Sequence, residues 1–384
     1  MLRRSHMKMV SCTRVLSFLL LGCFGFATIG SAGESSGALL KAKKEAEAKG
    51  FIFETSRDAI VANARKEGSV KILSGLDPAA YSPMMTSFKK KYPYLKIDMV
   101  EVTGPDGAQR FIMELKAGAR NDYDVVHAST EFYPEYIPFG KKFDLLGMAE
   151  NGVLRMPPKM IDPKQRSFAA LGSAISVVGY NKNLISADKV PNRWDDFLKP
   201  EFKGRKFLVD MRPHPFAAYP ACPQEGLGLE WMLKYARGLR EQNPIWSRGH
   251  SRALSSILAG EYAIHSGTHY QSVMRAMAKD PTGVLQFKMV EPVPVRLTAL
   301  ETVLASAQHP YAALLYLEHE ASAEGQDVID KQEFVGSIHY PGSNMSKSLQ
   351  GKKLCVNGFA DFHNSDKWMA MAVEAFGFPK ENTK

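Results

Sequence analysis

The sequence predicts an α/β protein of two lobes, each a mostly parallel sheet flanked by helices. Three observations carry this. Apolar stretches of strand length alternate with amphipathic stretches of helix length from residue 68 to about 290, the pattern left by crossover connections between parallel strands. At 384 residues the chain is longer than one core serves, since single cores stop growing near about 250–300 residues. The run Glu291-Pro292-Val293-Pro294-Val295, with its fixed φ angles and missing donors, is a poor central strand and a good return crossover between lobes.

The first element is a targeting segment. Arg3, Arg4, Lys8 and Arg14 precede an apolar run over 15–29 that ends in Gly30-Ser31-Ala32-Gly33, so a cleavable export signal is expected over 1–32, cut after Ala32. Leu20-Leu21-Gly22-Cys23 offers a second reading, a lipid anchor on Cys23, and Arg3-Arg4 hints at twin-arginine export. The apolar run continues past Cys23 and the arginine pair lies far from it, which favours the simple signal; Met7 and Met9 are alternative starts. No other stretch holds about 18 uninterrupted apolar residues, so a soluble mature chain is expected.

An N-terminal helical extension follows over 33–67. Its Ala, Lys and Glu-rich part, 38–49, alternates in charge and reads as exposed; a second helix over 57–67 stops at Gly68. The first lobe is assigned 68–172 and 296–345, with a strand from Val70, helix 78–92, strand 96–102, helix 108–117, strand 124–127 and a Pro-punctuated helical stretch near 131–139. The second lobe, 173–295, takes strands 174–180, 206–209, 262–265 and 284–290 and helices 229–240, 251–259 and 270–278. Helix 311–319 returns to the first lobe, and a tail over 346–384 ends in an amphipathic helix, 368–376, expected on one lobe.

The net charge of +9 falls to +5 without the four basic residues of the leader, a spread excess that is no nucleic-acid footprint and reads as an ordinary solvated surface. Of four cysteines, Cys12 and Cys23 belong to the leader. Cys222 and Cys355 are able to pair in an oxidising compartment, closing a long loop for about 3–5 kcal/mol.

Residues 177–209 read VVGYNKNLISADKVPNRWDDFLKPEFKGRKFLV: a strand ending in Gly179-Tyr180-Asn181-Lys182, a helix entry at Pro191 and Trp194-Asp195-Asp196, and a turn from Pro200 to Lys203-Gly204-Arg205-Lys206 that launches the next strand. The stretch resembles the second lobe of the ferric-type and related periplasmic solute-binding proteins of ABC importers. Downstream, Ala307-Gln308-His309-Pro310-Tyr311-Ala312-Ala313-Leu314-Leu315 and Ser322-Ala323-Glu324-Gly325-Gln326 resemble that family's returning helix and its cap. The resemblance runs from Gly68 to the C-terminus. It implies a type 2 periplasmic binding fold with hinge strands, and a monomeric receptor, not an enzyme and without a cofactor, that hands a small solute to a membrane ABC permease.

Enzyme signatures are missing: no GxGxxG, GxxxxGK[ST] or GxSxG occurs, and His319-Glu320 is not completed as a zinc motif because position 323 is Ala323. His265 and His269 have metal-ligand spacing, but Ser266-Gly267-Thr268 between them argues against one helical face and against a metal. In a two-lobed binder the ligand sits where strands end and helices begin. That nominates Ser74 and Asp77, with Asp77 also explicable as an N-cap before Pro78; Ser129 and Thr130, equally explicable as caps; Arg212, as a carboxylate or phosphate holder or a surface ion pair; and Thr268, His269 and Tyr270 of a loop expected over Ser266-Gly267-Thr268-His269-Tyr270, the strongest of the set.

Ferric-binding members carry adjacent tyrosines, whereas Tyr270 is followed here by Gln271. They also offer a histidine after the first strand and a glutamate after the third, where this chain aligns Asp77 and Ser129, with Glu131 offset. Ferric ion prefers several anionic oxygens, so the set argues for a small organic anion, a carboxylate, phosphonate or sugar acid. The alternative is iron held by Tyr270, His269 and Glu131. A third reading is a thiaminase-like enzyme on the same fold, with Cys222 as nucleophile and no base assignable.

Overall fold

The structure is a computed structural model that describes residues 31–378 apart from Thr103 and Pro213. The expected export signal, Cys23 included, lies outside these residues except for its last two positions. Among the described residues no helix is long and apolar enough to cross a membrane.

Among the described residues ten strands form the sheet framework: β1 Ser69–Ser74, β2 Lys96–Glu101, β3 Val125–His127, β4 Phe168–Asn181, β5 Leu208–Asp210, β6 Ile245–Ser247, β7 Ile264–His269, β8 Leu285–Lys288, β9 Val293–Val303 and β10 Leu354–Asn357. Their order is β2-β1-β3-β9-β4-β7-β5-β6, with β10 on β9 and β8 on β4. The outer pairs β1/β2, β1/β3, β5/β6 and β5/β7 are parallel, and antiparallel pairing enters where β9 meets β3 and where β4 meets β7, β8 and β9.

The two lobes share the long strands. β4 pairs with β9 from Phe168↔Thr302 to Ile175↔Val295, then leaves it and from Ser176 onward pairs with β7 and β8. Apolar clusters cover both faces of each half. Ile72, Phe88 and Leu315 pack on one face of the first sheet, and Tyr133, Phe168 and Leu300 on the other. Phe197, Phe207 and Tyr235 pack on one face of the second sheet, and Leu254, Ile257 and Val273 on the other. Strands buried on both faces lose the alternation of a half-exposed sheet, and β4 is buried along nearly its whole length.

The first half of β4 was not expected. Ala169-Ala170-Leu171-Gly172-Ser173 lacks the β-branched and aromatic residues that mark strands. Its smallness has a packing reason: a Cβ on Gly172 would lie 2.9 Å from the Val335 carbonyl, which the Ser173 amide needs as its acceptor at 2.8 Å.

Helix Arg57–Glu67 forms as expected, capped by the Ser56 hydroxyl and stopped at Gly68 with φ 73°. The helix before it, Ser31–Ala48, is not the exposed element its charges suggest, because Ala46 is buried in the first-lobe core and Leu39 and Ala42 pack beside it. Glu67 accepts from the amides of Tyr311 (3.1 Å) and Ala312 (2.7 Å), so one helix caps the start of another, Pro310–Glu320.

Two further expectations change. Strand β7 runs to His269, so residues 266–269 are strand and not loop; Ser266 donates to the Leu208 carbonyl and Thr268 is fully buried. The last helix, Phe362–Phe376, packs on both lobes: Phe362 sits with Tyr133 and Phe168, while Ala372 and Phe376 sit with Val178 and Tyr235. Cys222 and Cys355 are joined as a disulfide, with Cα atoms 5.4 Å apart, and tie β10 to the second lobe.

Candidate functional site

The crossing strands and the ends of the lobe strands converge on one place. Ser176 on β4, His269 at the end of β7, Arg296 on β9 and Pro215 line a cavity pinched to about 10 Å³, room for about one water. A roomier hollow of about 590 Å³, lined by Leu184, Pro191, Lys206 and Ile264, lies at the other end of the second sheet, where strands begin. Helix starts and converging amides belong to the strand ends, so the pinched cleft is the better candidate.

The first-lobe wall follows β3. Ser129 donates its hydroxyl to the Glu131 carboxylate, Thr130 Oγ1 approaches the same oxygen at 3.4 Å, and Arg296 Nη1 lies 3.5 Å from the other. Neither Ser129 nor Asp77 makes the side-chain cap bond its position suggests. His127 is half-buried beneath Gly75, with its Nδ1 buried and unpartnered, and desolvation pushes its imidazole down to about 4 against the pull of Glu131, so it is neutral at pH 7.

The second-lobe wall is built on β5 and β7. Asp210 accepts from the Arg212 amide at 2.9 Å and holds its guanidinium at 3.5 Å, and the same carboxylate lies 3.5 Å from His250 Nδ1. Thr268 Oγ1 and His250 Nδ1 are 3.3 Å apart, and the His250 and His269 rings sit 4.0 Å apart. Below them His265 is fully buried with neither ring nitrogen bonded, and burial first, then His250, holds it down to about 3.

Not every expected residue joins this wall. Ser74 is fully buried and spends its hydroxyl on the Leu76 amide at 3.1 Å, turning the chain. Asp77 pairs with Arg275 of the second lobe. Tyr270 packs edge-on against Phe287 at 5.3 Å, and its phenol is raised by burial and then by Asp330 of the first lobe. Among the described residues no three His, Cys, Asp or Glu side chains group as metal ligands. Cys222 is buried in a disulfide, so it carries no thiol for the nucleophile reading.

Sequence reasoning missed Arg296, Asp210, His250, Arg275 and Glu333. Arg296 had a signal, a single charge inside the apolar strand start Val293-Pro294-Val295-Arg296-Leu297. The others had none, since charged residues at the ends of strands and helices read as solvated surface.

The arrangement suits charge recognition. The two arginines are held by carboxylates at 3.5 Å, too far for the short bidentate pairing that would saturate a guanidinium, and Arg212 Nε is buried without a partner.

Comparisons with known proteins agree with the architecture. No curated protein matches the chain. Iron-bound HitA from Pseudomonas aeruginosa is similar in fold at 17% identity and TM-score 0.59, covering 80% of this chain and 99% of that one. The Trichodesmium protein IdiA (FutA) in complex with iron and citrate gives 16%, 0.61, 80% and 99%. The substrate-binding protein of an ABC transporter from Agrobacterium tumefaciens gives 15%, 0.55, 80% and 95%. At these identities the likeness carries the two-lobed fold alone. The family model for bacterial extracellular solute-binding proteins matches residues 132–352, more than half of the chain, and the chain therefore belongs to that family.

Proposed function

We propose that this protein is the periplasmic receptor of an ABC import system, closing two lobes on a small organic anion and delivering it to a membrane permease, without catalysis. The observation that carries the anion is the supply of spare guanidinium donors, Arg296 beside the cleft and Arg212 on the second-lobe wall, linked through His250 and His269. A carboxylate or phosphonate would take both donors of a guanidinium at once, displacing the looser contacts to Glu131 and Asp210. We place the lobe boundaries at 172/173 and 295/296, beside the Ile175↔Val295 pair where β4 and β9 part. Ligand would then shift an open-closed equilibrium about these strands.

Several structural neighbours are iron proteins, so iron is the competing cargo. Its proposed ligands here, Tyr270, His269 and Glu131, include a tyrosine packed on Phe287. A thermal-shift panel on protein refolded free of carried-over ligand decides. Ligand at about 100 times its Kd adds about 2.7 kcal/mol, a readable shift. Stabilisation by a carboxylate, phosphonate or sugar acid and none by ferric ion is expected; a ferric shift with visible colour and no response to organic anions would overturn the anion reading.

A further inference from the structure

We propose that Arg275 is a clasp between the lobes, reaching from the second lobe to Asp77 and Glu333 of the first so that the protein's own charges help to set closure. Arg275 lies near the end of helix Tyr270–Met277, which packs on β4 and β8 in the second lobe. Asp77 follows β1, and Glu333 ends helix Ala323–Gln332; both belong to the first lobe. One Nη2 atom contacts the Asp77 carboxylate and, at 2.8 Å, Glu333 Oε2. The acceptor pair is prebuilt on the first-lobe side, since the Asp77 amide donates to Glu333 Oε1 at 2.7 Å.

The two arms differ in weight. The Asp77 side chain is 51% exposed and that of Arg275 39%, so their pair is a screened surface contact of small effect. Glu333 is 9% exposed, and its carboxyl is raised by burial and by the charge of Asp77. Arg275 is the cation facing both acids, and swinging it away leaves Asp77 and Glu333 repelling each other. The Glu333 arm therefore carries the clasp. This inference uses the two-lobed fold and not the identity of the solute, so its test runs without one.

The experiment is small-angle scattering of the solute-stripped mature chain, wild type against R275A, E333Q and D77N, in low salt and in 1 M NaCl. Removal of the Arg275–Glu333 arm is expected to raise the open-to-closed ratio about tenfold, the scale of a charge-assisted contact, seen as a larger radius of gyration in R275A and E333Q and a smaller rise in D77N. In 1 M NaCl the exposed Asp77 arm is screened and the buried Glu333 arm much less, so wild type should expand no further than D77N does in low salt, and R275A should not change. Superposable low-salt curves for wild type and R275A overturn the proposal. Should R275A fail to fold by circular dichroism, E333Q reads the same contact from the first lobe, and its identity with wild type overturns the proposal equally.

Discussion

Arg57 donates its guanidinium to Glu318, whose fully buried carboxylate also accepts from the Arg155 amide at 3.0 Å while its Oε1 finds no partner among the described residues. The pair joins the second N-terminal helix to the middle of the first lobe. Removing the cation strands a buried charge, at a cost on the order of 3–5 kcal/mol. R57A should therefore show a much lower denaturant midpoint, and R57A/E318Q should recover most of it. An R57A midpoint equal to wild type would mean that the helix is an appendage after all.

A buried pair of acids makes stability depend on pH. Glu301 on β9 and Glu320 at the end of helix Pro310–Glu320 are almost wholly buried beside Tyr316. Burial raises Glu320 to about 7, and burial together with Glu320 raises Glu301 as well. A raised carboxyl pKa means that the folded form keeps a proton the unfolded chain has released. The stability from Glu320 is thus complete below about pH 4.5 and lost as pH rises through about 7, on the order of 3 kcal/mol. E320Q should flatten the difference in Tm between pH 5 and pH 8; an unchanged difference removes this pair as its source.

The Cys222–Cys355 bridge closes a loop across a sequence separation of 133. Chain entropy alone gives it at most roughly 5 kcal/mol. Calorimetry of C222S/C355S should show a Tm lower by several degrees, and adding reductant to wild type should reproduce that value. Equal melting of oxidised and reduced protein would mean that packing of β10 on β9 suffices.

Arg296 and Glu131 make opposite predictions for binding. R296A should weaken the organic anion that stabilises wild type by at least about tenfold, as expected for loss of a charge-assisted contact. E131Q should bind that anion more tightly, because it releases the guanidinium and removes a competing charge. Isothermal titration of both variants checks the pair, and weaker binding by E131Q would make Glu131 itself a ligand.

Where sequence and structure agree, the cause is local. Helix Arg57–Glu67 carries its own cap and stop, and the apolar strands of the first lobe carry their own periodicity. Disagreement comes from distant partners. Asp77 before Pro78 has the form of a cap, yet its carboxylate turns to a guanidinium 198 residues away, a contact no local pattern encodes. Ser266-Gly267-Thr268 has loop composition but continues β7, because Thr268 packs over Gly179, where a Cβ would lie 3.2 Å from its methyl group. The strand-end positions were legible in the sequence and their partners were not: His269 lines the cavity between the crossing strands and Arg212 pairs with Asp210 at the end of β5, while Ser74 turns inward and Tyr270 packs on Phe287.

The last helix, 15 residues or about 22 Å long, has Phe362 seated in one lobe and Phe376 in the other. A rod pinned by an aromatic at each end resists stretching, since drawing the lobes apart along it would pull one ring out of its core. Swivelling about its length costs neither contact. If the lobes move, the helix would serve as an axle beside the two crossing strands and leave them one easy freedom, the turn of a door on its pin.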